Sequence, residues 1–229
     1  MTISRWSEDV RAEYVSVYGE DLGRLYDVLS SELLWLHNKW FEYCALFGGS
    51  EARVELLNET APYFFHVVQR VLWEGVLLHI ARLTDPAKQK KFENMSLCAL
   101  SGAVENPNAR AQVDADLQVV LTAAQFARDY RDKNLAHQDL DHALGRVEPL
   151  SSGSHKDVED VLRGMCGLMN NIAAAHDQPT LIYDLPGVPG DANSLVHKLV
   201  IAARDAARRE ARVLDGSATP EDFERPQSP

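Results

Sequence analysis

From Leu22 onward the apolar residues fall at Leu25, Leu29, Leu33, Leu36, Trp40, Cys44 and Phe47. Steps of three and four residues mark one face of an α-helix. Gly48-Gly49 is expected to stop this helix, and Gly19 and Gly23 to break or kink its early part. A second helix is expected near Ser50. After Pro62 the run YFFHVVQRVLWEGVLLHIARLTD is apolar on most sides, which predicts a central helix. Thr84-Asp85-Pro86 ends it, because the residue before a proline avoids the helical region. Asn94-Met95-Ser96 reads as a cap before a short helix from Leu97 to about Val104. Asn106-Pro107 reads as the start of the next helix, with Val119, Ala123, Phe126 and Tyr130 expected on its inner face. Gly145 to Gly153 reads as a loop. Ser154 caps a further helix, with Asp157 placed as in a capping box. That helix carries Val158, Val161, Leu162, Met165, Leu168, Met169 and Ile172. His176 to Ala192 is expected to be irregular, with TLIYDL as a possible extended piece. Asn193 to Leu214 reads as a last amphipathic helix. No alternating stretch is long enough for a sheet. The pattern predicts an all-α bundle of five to seven helices. It forms one domain over residues 1–214, followed by a disordered tail over 215–229.

Composition narrows the function. The chain has 229 residues and a formal net charge of -11. An acidic chain cannot hold nucleic acid through a general basic field, so any RNA contact must be local. Three separated cysteines give neither a disulfide framework nor a zinc pattern. The charged N-terminus is not expected to act as a signal peptide, and no apolar run reaches about 18 residues. No membrane association is expected, and the expected location is cytoplasmic.

One stretch breaks the pattern. RDYRDKNLAHQDLDH, Arg128 to His142, places cations, carboxylates, an amide and two histidines on a helix that has just carried Phe126. On a helical wheel with Arg131 at 0°, Asn134 falls at about 300° and His137 at about 240°. Phe126, Tyr130 and Val119 fall at about 220°, 260° and 240° on the same wheel. His137 therefore lines up with the apolar stripe, and Arg131 sits at its edge. Polar groups in that position imply a cleft, a buried network or a subunit interface. The plainer reading is also open: Arg and His complement the dipole of a helix C-terminus, and Asp129–Lys133 is an ordinary i,i+4 pair.

Elsewhere the chemistry is thinner. His37, His66 and His79 read as satisfied core or boundary histidines. Glu74 and Arg82, eight apart on the apolar helix, read as one half of a buried ion pair or as a wall of the Arg131–His137 cleft. Arg82, Lys88, Lys90 and Lys91 against Asp85 give a local net of +3, on a solvated loop or facing RNA phosphates. The cations of the last helix, Lys198, Arg204, Arg208, Arg209 and Arg212, outnumber Asp205 and Glu210 and are expected to pair with the acidic N-terminal part. No Gly-rich phosphate loop, Ser-His-Asp order or zinc spacing appears.

The string RDKNLAH, Arg131 to His137, resembles the R-x(4–6)-H motif of HEPN domains. Five residues separate the two here, and Asp132 supplies the polar residue that the family prefers after the Arg. The chain is also similar, over roughly residues 20–175, to the branch named for the abortive-infection protein AbiU. The segments in common are Leu36–Gly48, Phe64–Asp85, Lys88–Lys91, Asn94–Leu97 and Arg131–His137, in that order. The resemblance implies a helical bundle acting as a metal-independent endoribonuclease without a cofactor. Two protomers would face their motifs across a cleft, and a ribose 2′-OH would attack the adjacent phosphate. His137 would then be the acid/base group and Arg131 the phosphate clamp. Asn134, Arg128 and Asp132 would assist substrate binding. The implied partners are RNA, a second copy and an antitoxin protein, with no DNA. Inactive members leave a second expectation, a non-catalytic RNA- or nucleotide-binding or regulatory module.

Overall fold

The computed structural model describes residues 3–135, 153–184 and 189–223. Helices dominate them: α1 (Ile3–Tyr18), α2 (Glu20–Phe47), α3 (Glu51–Thr60), α4 (Pro62–Leu83), α5 (Leu100–Ala103), α6 (Pro107–Ala123), α7 (Gln125–Tyr130), α8 (His155–Ala174) and α9 (Ala192–Asp215). The only strands among them are a two-residue pair, Lys88–Gln89 against Phe92–Glu93. The chain is all-α, and none of these helices is long and apolar enough to cross a membrane.

The breaks have local causes. Gly19 takes φ +85, a left-handed conformation that suits glycine, and turns the chain from α1 into α2. Gly23 is different: it sits inside α2 and lets the backbone of α1 come close. Asn106 caps α6 by accepting from the backbone N–H of Asn108 and Ala109, with Pro107 at the first helical position. Ser154 and Asp157 close the expected capping box on α8. The basic loop turns at Lys90, with φ +56, between the two short strands.

The chain divides into two compact units, Met1–Trp40 with Val71–Leu185, and Phe41–Arg70 with Pro186–Pro229. In the first, Tyr26, Leu29, Leu33 and Leu36 of α2 are buried, as are Val76, Leu77 and Ile80 of α4. Val158, Val161, Leu162, Met165, Leu168, Met169 and Ile172, all on α8, are buried as well. In the second unit, Ala192 N–H donates to the Glu42 carboxylate at 2.8 Å. Arg53 donates to the Ala45 carbonyl and, at 3.2 Å, to the Asn193 side chain. Gly216 ends α9 in the left-handed region, and Arg212 pairs with Asp222 beyond it, on a short 3-10 turn Pro220–Phe223.

Two expectations change. The run after Pro62 is helical but not central throughout: Tyr63, Phe64, Val67, Val71 and Leu78 are exposed. Val119 is also exposed, at 66%. The buried stripe leading to the polar stretch is instead Val113, Leu117, Val120, Ala124 and Ala127. Continued by four residues, that stripe arrives at Arg131; the expected alignment of His137 with it lies outside the described residues. The expected loop over 145–153 and the last residues of the tail lie largely outside the described residues.

Candidate functional site

Arg131 follows α7 directly and opens a π-helical turn, Arg131–Leu135. Such turns widen the backbone and are frequent at functional sites. The position in line with Ala127 carries the guanidinium inward, and its side chain is only 19% exposed. A half-buried cation needs partners. Nη1 donates to Asp85 Oδ1 at 2.6 Å and Nε to Asp132 Oδ1 at 2.8 Å. Desolvation works against the charge, but the hydrogen bonds that Arg131 donates to Asp132 and Asp85 outweigh it and raise the pKa further. Arg131 is a fixed positive charge at any pH the protein meets.

Asp85 is placed by the end of α4. The buried Thr84 hydroxyl donates to the Ile80 carbonyl at 2.9 Å, closing the last turn. Arg128 has been drawn into the same junction. Its Nη1 donates to the Thr84 carbonyl at 3.3 Å, and its Nη2 donates to the Leu121 carbonyl at 2.8 Å and to Gln125 Oε1 at 2.6 Å. Arg128 thereby satisfies carbonyls left open where α4 and α6 end. These bonds tie the ends of α4 and α6 to α7.

Among the expected site residues, Arg131, Asp132 and Arg128 are brought to one junction. Asp132 is more open than Arg131 or Asp85, at 61%. Asn134 contributes its backbone to the π-helical turn. His137 lies outside the described residues. Thr84 and Asp85 were missed as site residues. The sequence shows only that RLTD places an acid just past a helix end; its pairing with Arg131 comes from the fold.

A second polar cluster joins α2 to the C-terminal half of α4. His79, 2% exposed, has its Nε2 at 2.8 Å from Glu32 Oε2 and its Nδ1 at 3.2 Å from Lys39 Nζ. An ammonium has only donors, so Nδ1 accepts and Nε2–H donates to the carboxylate. Burial, and next the Lys39 charge, push the His79 pKa down to about 4. Arg82, 54% exposed, comes to 3.9 Å from the same Glu32 oxygen. It is an exposed end of the cluster and not a buried pair. His37 is half-buried, with Nε2 3.1 Å from Cys166 Sγ. Burial and the nearby Asp184 push that thiol up to about 12, so it stays protonated. His66, expected at a core boundary, is exposed.

The His79 site makes stability pH-dependent. The unfolded imidazole takes up its proton near pH 6.5, while the folded one, facing Lys39, Glu32 and Arg82, resists down to about 4. The contribution of this site to stability is therefore complete above pH 6.5 and falls across that window, by on the order of 3 kcal/mol. His79→Gln keeps an acceptor for Lys39 and a donor for Glu32 without the titration. The difference between wild type and His79→Gln in urea midpoints should grow in the variant's favour from pH 7 to pH 4. A difference that stays constant with pH would rule this account out.

No curated protein and no solved structure matches the chain. A family model does: residues 19–195 match the HEPN AbiU2 family. That span includes the α4 end, the Arg131 turn and the His137 position, and with it well over half of the sequence. The chain belongs to the HEPN family of AbiU2 proteins.

Proposed function

We propose that this protein is a metal-independent endoribonuclease, working as a pair of identical chains in a defence or toxin–antitoxin setting. The observation that carries the reading is Arg131. It is a permanent cation on a π-helical turn, set by Asp85 and partly open to solvent. Family membership supports the reaction class, since the R-x5-H motif is present in full. In the reaction, the ribose 2′-oxygen bonds to the adjacent phosphorus and the bond to the 5′-oxygen breaks. The products are a 2′,3′-cyclic phosphate and a 5′-hydroxyl. His137 takes the 2′-OH proton or returns one to the leaving oxygen, as an imidazole can near neutral pH. Arg131 holds the phosphate oxygens as negative charge builds on them. Asn134 and Asp132 position the phosphate or these groups. An antitoxin protein is the partner that restrains the enzyme.

The test is cleavage of short single-stranded RNAs in EDTA, with His137→Ala beside wild type. Wild type should cut in EDTA, leaving cyclic phosphate ends. It should not cut where the nucleotide carries 2′-deoxyribose, and His137→Ala should lose at least a hundredfold. Loss of cleavage on chelation, or full activity in His137→Ala, removes the proposal. The Arg131–Asp85 pair favours one other reading, a non-catalytic module in which Arg131 is a structural tie. That reading predicts no cleavage by wild type under any condition, together with unfolding by Arg131→Ala.

A further inference from the structure

Most apolar side chains on α2 face inward, but Trp35 is 57% exposed and Leu34 37% exposed. An exposed indole offers a flat face on which another ring can stack. Its surroundings are cationic. Lys39, one turn along the same helix, places Nζ 5.7 Å from the centre of the Trp35 ring. That ammonium is not loose: it is tied to Nδ1 of the buried His79, whose other nitrogen is tied to Glu32. A neutral imidazole thus sets the direction of Lys39 without cancelling its charge. Arg82 stands beside Glu32 with its side chain 54% exposed.

An aromatic face with ordered cations at its side fits the components of single-stranded nucleic acid. The base stacks on the ring, and the neighbouring phosphates meet the cations. The position suits the reaction. His79, which holds Lys39, lies four residues, or about 6 Å along the axis, before α4 ends at Leu83, and Asp85, the residue that holds Arg131, follows two residues later. A single strand covers that distance in a few nucleotides. Charge decides between the two occupants that an exposed Trp and Leu would accept. A second copy seated on this face would set Lys39 and Arg82 against their own kind across a two-fold axis. An RNA strand brings regularly spaced phosphates.

We propose that Trp35, Lys39 and Arg82 form a stacking platform that holds one base and the adjoining phosphates of a single-stranded RNA a few nucleotides from Arg131. The inference rests on the RNA-directed reading above but not on catalysis.

The experiment measures binding of fluorescein-labelled oligouridylate and oligoadenylate by anisotropy, in the His137→Ala background so that the probe stays intact. Trp35→Ala should weaken binding about tenfold or more, and Trp35→Phe should recover most of it. Lys39→Gln should lower the salt dependence of log Kd by about one. A blunt-ended duplex of the same length should gain nothing from Trp35. Because Trp35 is exposed, Trp35→Ala should keep its helical circular dichroism and melting point. An unchanged Kd in Trp35→Ala overturns the platform, and so does a wild type that binds neither oligomer. Loss of self-association by Trp35→Ala with RNA affinity intact also overturns it, in favour of a second copy. If wild type binds both oligomers through Trp35 but cuts nothing, the platform stands and the ribonuclease proposal falls. If wild type cuts RNA and Trp35→Ala has the same KM and Kd, the platform alone falls.

Discussion

Arg131→Ala is expected to lower RNA cleavage by roughly 10²–10³-fold, the loss seen when one charge-stabilising donor is removed from a transition state. Arg131→Lys should recover little of it. A guanidinium is a planar fork that can hold two oxygens at once, whereas an ammonium is a point charge. In this protein Arg131 Nε and Nη1 point at Asp132 and Asp85, so the fork is already held flat. A phosphate arriving there meets a side chain whose direction has been set in advance, and less entropy remains to be lost. The two substitutions separate chemistry from folding. Alanine leaves Asp85, 23% exposed, without its Arg131 contact. Both groups are less than a quarter exposed, so losing this charged hydrogen bond costs about 1.5–3 kcal/mol. Lysine can still meet Asp85, so Arg131→Lys should melt close to wild type. Single-turnover cleavage and thermal melts on the same preparations check both halves. Wild-type cleavage by Arg131→Ala would exclude it as the phosphate clamp. A loss of cleavage that only tracks the loss of fold in both variants would also exclude it as the phosphate clamp.

The route to Arg131 shows which parts of the molecule can be read from order and spacing. Helix starts with strong local chemistry were legible: Asn106 with Pro107, and Ser154 with Asp157, cap as their side chains dictate. The ends after Phe47 and Leu83 follow from Gly48-Gly49 and from Thr84-Asp85-Pro86. The phase of a helix is harder. A wheel carried from Val119 to His137 assumes 100° at every step. Ala124 breaks α6 from α7, and the turn at Arg131 is π-helical, so the count drifts on both sides. The buried stripe had to be followed through Val120, Ala124 and Ala127 to show that Arg131 is its continuation. Long-range partners were the least legible. Nothing near Arg131 in the sequence names Asp85, 46 positions away. The Lys39–His79–Glu32 cluster likewise joins two helices whose pairing no local pattern encodes. The apolar run after Pro62 misled for a related reason. Hydrophobicity on all sides states what a helix would bury, and Val71 and Leu78 remain exposed in the described residues.

Gly23→Ala is expected to destabilise the protein by about 2 kcal/mol, although alanine is the better helix former. Propensity alone favours the change by up to about 1 kcal/mol, because glycine loses more backbone freedom inside a helix. The opposing contact is with backbone. A Cβ at Gly23 would lie 2.6 Å from the Tyr14 carbonyl oxygen and 2.6 Å from Val15 Cα. Neither atom can swing aside like a side-chain tip, so α1 itself must move away from α2. Three contacts depend on that approach. Tyr14 packs edge-on against Tyr26 with ring centres 5.1 Å apart, and Tyr18 against Tyr26 at 4.7 Å. Arg11 reaches Asp27, whose side chain is 10% exposed, at 2.8 Å. Overpacking of this kind costs about 1–3 kcal/mol before such losses are added, which is enough to reverse the propensity gain. Gly167→Ala supplies the control with the opposite sign. Gly167 is an exposed glycine within α8, where an added Cβ meets nothing within 4 Å. There the same methyl should stabilise by about 0.5–1 kcal/mol. Urea midpoints of the two variants should therefore move to opposite sides of wild type. Limited proteolysis near Gly19 should accelerate only in Gly23→Ala, because α1 is the element displaced. If both variants gain stability, α1 yields at no cost, and the close crossing at Gly23 does not hold α1 against α2.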